Sequence, residues 1–322
     1  MKWMTVVLPP FLCINPLLAD DSYYDIPPPG KRVDIGGYKL HLNCQGSGNP
    51  TIVLDAGLGD WSVHWLEVQE KLKTDNRVCS YDRAGYGWSD PGPRPRSSAQ
   101  IVMELHSLLE KAGEKPPYLL AGHSFGGINM RLFASTYPSE VSGLVLVDAS
   151  HPESLPYRRD DSGKAPSTAP TNAMMLMQPL EADISQLPSA AIAAVNNSLL
   201  HTKSIAASRS EYRAMGQSIS MLLQAPRMGD ISLTVISRGV REWPEGKEGD
   251  AQESVWQKQQ VELARISSKA QHIIAHKSGH FIHLKEPQLV AGTIRDMVAY
   301  ERARLVAAPQ PQRQPDTACQ TC

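Results

Sequence analysis

The sequence has almost no net charge: 32 Lys and Arg against 33 Asp and Glu leave a formal −1. That balance gives no electrostatic handle on nucleic acid or on an anionic membrane, so a neutral small molecule is the expected partner. Long apolar runs are also scarce. Past the N-terminal segment none approaches the roughly 20 residues that span a bilayer, so no integral membrane association is expected. No internal repeat is visible, and no metal motif is present, because His280-x-x-His283 lacks the Glu and the spacing of a zinc helix. Neither a metal nor a cofactor is expected. Cysteines number five. Cys13 lies in the apolar N-terminal segment, and Cys319-x-x-Cys322 closes a tail with no strand–helix–strand context to support a redox role. Cys44 and Cys79 fall in two predicted strands, which leaves either a bridge between neighbouring strands or two buried thiols.

What is present is ordinary for a globular chain, with 41% hydrophobic and 20% charged residues. Met1-Lys2 followed by an apolar run to Leu18 and by Ala19-Asp20-Asp21 resembles a secretory signal over residues 1–19. A secreted or periplasmic location is therefore expected, with cytoplasmic as the alternative. Residues 32–35 and 38–44, joined by Gly36-Gly37, read as a hairpin at a sheet edge. Residues 51–55, 78–81, 118–120 and 141–147 read as buried strands, with helices over 64–73, 97–112 and 128–137 between them. From 151 to 230 the alternation breaks into a Pro-rich, then helical and Met-rich stretch, which is too long for a loop and reads as an inserted cap. Strand 231–237, helix 254–266, strand 270–275 and helix 287–305 complete an α/β core, built from residues 20–150 and 231–308. Residues 309–322 form a Pro-, Gln- and Arg-rich tail that reads as disordered.

The chemistry centres on Gly122-His123-Ser124-Phe125-Gly126, set between a strand and a helix. In that context a Gly-x-Ser-x-Gly turn exposes a serine nucleophile, and the flanking glycines let strand and helix pass closely. A serine hydroxyl needs a base, and the base needs an orienting acid. His280, in the loop after the last strand, is the expected base, while His283 reads as structural and His123 as packed or hydrogen-bonded. Two carboxylates compete for the acid: Asp148 at the end of strand 141–147, and Glu242 beyond strand 231–237. Asp148 is preferred because it follows a rigid strand. The amides of Phe125 and Leu58 are the expected oxyanion donors, the latter in Asp55-Ala56-Gly57-Leu58-Gly59.

Together these residues resemble the α/β-hydrolase superfamily, in the cap-bearing branch that includes esterases, prolyl aminopeptidases, C–C bond hydrolases, epoxide hydrolases and haloalkane dehalogenases. The likeness runs over residues 33–304, through Leu54-Asp55-Ala56-Gly57, Tyr81-Asp82-Arg83-Ala84-Gly85-Tyr86-Gly87-Trp88-Ser89-Asp90, the serine turn and Ser278-Gly279-His280. It implies a mostly parallel eight-stranded sheet, a structural rather than catalytic Arg83, and neighbouring second and fourth strands, on which a Cys44–Cys79 bridge is sensible. Ala56 stands where the family's oxyanion loop has His. Glu242 stands where its usual Asp follows the seventh strand, whereas dehalogenase-like relatives carry the acid where Asp148 stands. Ser124 replaces the Asp nucleophile of epoxide hydrolases and dehalogenases, which argues against both chemistries. The expected activity is cofactor-free hydrolysis of a carboxylic ester with a hydrophobic group. Amide, lactone or C–C cleavage by the same residues, and a non-catalytic binding protein on this fold, are the alternatives.

Overall fold

The computed structural model describes residues 27–153, 201–225 and 228–307, with 184–185, 187–189, 191–193 and 195 between them. The signal-like residues 1–19, residues 154–183 of the expected cap and the tail 309–322 lie outside the described residues.

Among the described residues, eight strands form one sheet in the order β1-β2-β4-β3-β5-β6-β7-β8. β1 (Lys31–Asp34) and β2 (Lys39–Gln45) are the antiparallel hairpin. Asp34 closes its turn, since Oδ1 accepts from the amides of Gly36 and Gly37 at 2.8 and 3.0 Å. β2 also runs antiparallel to β4 (Val78–Tyr81). Of the two hairpin strands, only β1 therefore lies at the sheet edge expected for both. β2 is interior because it pairs with β1 on one side and β4 on the other, and its faces are covered too, with Leu40, His41 and Leu42 all buried.

The remaining strands, β3 (Thr51–Asp55), β5 (Tyr118–His123), β6 (Val141–Val147), β7 (Ser232–Arg238) and β8 (Lys269–Ala275), continue the sheet in parallel. β3, β5 and β6 are nearly continuous apolar runs because they are covered on both faces. Alternate residues then go to opposite sides, so Val53, Leu120, Leu144 and Leu146 join one core cluster while Ile52, Leu54, Leu119, Val145 and Val147 join the other. The first cluster is closed by α2 (Ser98–Ala112), α3 (Phe125–Thr136) and α4 (Thr202–Gln224), and the second by α1 (Leu66–Leu72) and the C-terminal helix. Ser97 caps α2 by accepting from the Gln100 amide, and Gly113 ends it in the left-handed conformation at φ 81°.

α5 (Lys247–Leu263) begins about two turns before the helix expected from residue 254. Glu248 and Asp250 lie in its first turn, where acidic side chains suit the positive end of a helix. A short α6 (Ile282–Lys285) then precedes α7 (Pro287–Ala307). No helix among the described residues is long and apolar enough to cross a membrane.

The topology creates a crevice. From β3 the chain leaves through α1 on one face to β4, and from β5 it leaves through α3 on the other face to β6, although β3 and β5 are neighbours. Loops diverging from the carboxyl ends of adjacent strands leave a space between them.

Two cross-links tie the hairpin to this core. Cys44 and Cys79 are directly paired across β2 and β4 and joined by a disulfide that closes a separation of 35 residues. Cys44→Ser/Cys79→Ser should lower stability by about 3 kcal/mol, read as a lower melting temperature that a reductant reproduces in the wild type and no longer changes in the variant. His41 Nδ1 lies 2.8 Å from Asp82 Oδ2, both side chains buried. Burial alone would lower the imidazole, but the Asp82 carboxylate outweighs it and holds His41 above its ordinary 6.5. A group raised on folding stabilises fully below its unfolded value and loses that contribution as pH rises through the folded one. The melting-temperature advantage of wild type over His41→Asn should therefore be largest below pH 6.5 and shrink above it.

Candidate active site

Ser124 follows β5 directly, at φ 51° and ψ −117°, and serves as the N-cap of α3. A non-glycine residue held in such a conformation costs on the order of 1–3 kcal/mol and persists only where its surroundings impose it. Here they do. A Cβ on Gly122 would sit 2.5 Å from the Gly126 carbonyl oxygen, and one on Gly126 would sit 2.5 Å from the Asp55 carbonyl oxygen. The glycines thus allow the ends of β3 and β5 and the start of α3 to converge at one point.

His280 lies in the loop after β8. Its Nε2 accepts from the Ser124 hydroxyl at 3.0 Å, and its Nδ1–H donates to Asp148 Oδ2 at 2.7 Å. The carboxylate can only accept, which puts the imidazole proton on Nδ1 and leaves Nε2 free to receive one. Asp148 is the first residue past β6, fully buried and also at positive φ, 40°. Besides His280, its carboxylate accepts from the Arg238 amide at 3.0 Å, Arg238 Nη1 at 3.1 Å and Trp256 Nε1 at 3.0 Å. Burial works to raise this carboxyl, yet the hydrogen bond and charge of His280 and the Arg238 guanidinium outweigh it and hold Asp148 below the usual carboxylate range.

Glu242 is exposed and takes a different place. Its Oε1 accepts from the backbone N–H of His280 at 2.7 Å, so it holds the loop while Asp148 meets the ring. The separation follows from the sheet. Asp148 leaves β6 immediately, between β5 and β7, whereas Glu242 is carried four residues past the end of β7. His123 holds the same loop from the other side, its Nε2–H donating to the His280 carbonyl at 3.0 Å. His283 is buried against Trp65 and His123, and burial, then the neighbouring histidines, keep it well below its ordinary value.

The amides of Phe125 and Leu58 have no hydrogen-bond partner among the described residues. Both flank the convergence point, Phe125 next to Ser124 and Leu58 in the β3 loop that crosses Gly126. Arg238 and Trp256 were not anticipated from sequence. Arg238 lies between the rings of Trp243 and Trp256, 4.8 and 4.6 Å from their centroids, and also pairs with Glu253 at 3.2 Å. A basic residue ending β7 beside a carboxylate ending β6 was the available signal, but pairing of β6 with β7 was needed to read it. Away from these residues, His151, Glu153 and Glu262 could gather ligand atoms around an ion, although Arg131 acts on His151 as an opposing positive charge.

The hydrogen-bonded arrangement has a direct spectroscopic consequence. A proton bridging His280 Nδ1 and Asp148 should resonate far downfield in proton spectra, survive Glu242→Gln, and vanish in Asp148→Asn and in His280→Gln.

Comparison with known proteins gives consistent results. A family model described as the alpha/beta hydrolase fold matches residues 50–215, just over half of the chain. The uncharacterized protein YqjL of Bacillus subtilis is 28% identical over 270 residues, covering 83% of this chain and 91% of its own length. Several other curated relatives are matched over less than half of their length. Among solved structures, a thermophilic esterase from Thermogutta terrifontis superposes with a TM-score of 0.64 at 19% identity, covering 84% of this chain and 98% of that one. The enol-lactonase from Burkholderia xenovorans gives 0.61 at 18% identity, covering 84% of this chain and 100% of that one. At such identities the structural likeness speaks to the fold alone.

Proposed function

Because this chain belongs to the alpha/beta hydrolase fold family, we propose that it is a serine hydrolase that cleaves a carboxylic ester of a small, hydrophobic substrate through an acyl-enzyme. The observation that carries the reading is the unbroken relay from the Ser124 hydroxyl through His280 to Asp148, at 3.0 and 2.7 Å, with the nucleophile on a strained turn.

In this reading Ser124 Oγ attacks the acyl carbon while His280 Nε2 takes its proton. Negative charge develops on the carbonyl oxygen, and the Phe125 and Leu58 amides receive it. The C–O bond to the alcohol then breaks as His280 returns the proton to the leaving oxygen, leaving Ser124 acylated. Water, deprotonated by His280, attacks the acyl carbon, and the bond to Ser124 Oγ breaks as His280 returns the proton to that oxygen, which releases the acid and restores the serine. Asp148 orients the imidazole and stabilises its charged form, and its four donors keep it ionised while it does so.

The apolar surroundings support a hydrophobic substrate. Leu187, Ala191 and Val195 of the insertion cluster with Trp61, Tyr86 and Trp88, and Phe281, next to the His280 base, packs against that cluster. An esterase and an enol-lactonase among the structural neighbours fit acyl transfer to water. Export is part of the proposal, supported by the signal-like start and by a disulfide of the kind that persists in oxidising compartments.

The test is pre-steady-state hydrolysis of p-nitrophenyl esters of increasing acyl length. The wild type should release a burst of p-nitrophenol, and a fluorophosphonate should label Ser124. Ser124→Ala should lose both. Asp148→Asn should lower kcat by about 10⁴-fold, and Glu242→Gln by less than about tenfold, as suits a residue that holds only the His280 backbone. A wild type with no burst and no labelling would sink the proposal, and loss confined to Glu242→Gln would reassign the acid.

A further inference from the structure

Arg83 is almost fully buried, so its charge must be met by protein groups. A guanidinium has five N–H donors, and here five acceptors surround it. Nε donates to Glu211 Oε1 at 2.8 Å, and Nη2 to Glu211 Oε2 at 3.1 Å and to the Gly57 carbonyl at 2.7 Å. Nη1 donates to Asp55 Oδ1 at 2.9 Å and to the Ala56 carbonyl at 2.7 Å. The faces are covered by the rings of Tyr86 and Phe125, 5.0 and 5.6 Å away, and the Tyr86 hydroxyl donates to Glu211 Oε2 at 2.8 Å.

Three of these acceptors belong to the last residue of β3 and the loop after it, and two to α4, the helix that returns the insertion to the core. One acceptor matters most. The Gly57 carbonyl and the Leu58 N–H are two ends of one planar trans peptide and point in opposite directions. A hydrogen bond that fixes the carbonyl toward Arg83 therefore fixes the Leu58 N–H away from it. The same bond polarises the peptide and strengthens its N–H as a donor.

We propose that Arg83 and Glu211 are positioning residues for the oxyanion site, through which the insertion helix sets the aim of the Leu58 amide. The proposal rests on the hydrolase reading above. Arg83 touches no reacting atom; it acts through the Gly57–Leu58 peptide, and Glu211 acts by holding Arg83. Lysine at position 83 would keep the charge but lose the planar fork, and could not reach the loop carbonyls and Glu211 together.

The readout must separate aim from mere stability. Arg83→Lys, Glu211→Gln and Tyr86→Phe would be compared with wild type in kcat and KM for p-nitrophenyl butyrate. Inhibition by a trifluoromethyl ketone, which places an oxyanion on the two amides, would be measured alongside, as would the melting temperature. Arg83→Lys should lower kcat by about a hundredfold, the order seen when an oxyanion donor is removed, with KM changed less than about threefold. Trifluoromethyl ketone affinity should fall by the same factor as kcat. Glu211→Gln should show the same split at roughly tenfold, and Tyr86→Phe at a few-fold. Should Arg83→Lys not fold, the milder two decide the question by the same proportionality. Variants that lose melting temperature yet keep wild-type kcat and inhibitor affinity would reduce the cluster to a structural ion pair and overturn the proposal. A wild type that neither turns over esters nor labels with fluorophosphonate would instead overturn the hydrolase reading, and this inference with it.

Discussion

Ser124 is held in a backbone conformation that a non-glycine residue avoids, and the local packing depends on keeping it there. Gly122 and Gly126 have no space for a side chain, because the β3 loop, the end of β5 and the first turn of α3 meet between them. A strained residue is stable only if moving it would cost more elsewhere. Here relaxation would separate elements whose strands, β3, β5 and β6, are buried on both faces of the sheet. The strain is thus underwritten by two hydrophobic clusters, one on each side.

The polar residues around the turn follow from the same convergence. His280 is fixed at three points: Asp148 at its ring, Glu242 at its amide and His123 at its carbonyl. Asp148 is fixed by donors from β7 and α5 as well as by His280. Arg83 binds the β3 loop to α4, which links that helix to the peptide that carries the Leu58 amide. Asp148 and Arg83 are buried, and each is matched to partners of the opposite hydrogen-bonding sense, which is the condition under which a charged side chain tolerates removal from water.

The carboxylates show how far one-dimensional reading reaches. Both Asp148 and Glu242 were legible as candidates, because each follows a strand that ends on the rim of the crevice. Their different contacts, ring for one and backbone for the other, depend on how far the chain travels after leaving the sheet, and no local pattern encodes that. Arg238 and Trp256 were invisible as neighbours of Asp148 for a related reason. They lie 90 and 108 residues away from it, and only the β6–β7 pairing and the docking of α5 bring them close. The start of α5 was misread because charges that suit a helix N-terminus also suit a solvated loop.

The sequence by itself determined the α/β class, the boundaries of most strands, the serine turn and the histidine after the last strand. These are local or periodic properties: alternation, apolar runs, capping residues and glycines at a turn all act within a few residues. Tertiary structure alone decided that β2 is interior, that Cys44 and Cys79 are joined, which carboxylate meets the imidazole, and that Arg83 ties α4 to the β3 loop. Those outcomes depend on long-range juxtaposition in a buried, low-dielectric interior, where position to within an ångström decides which acceptor a donor finds.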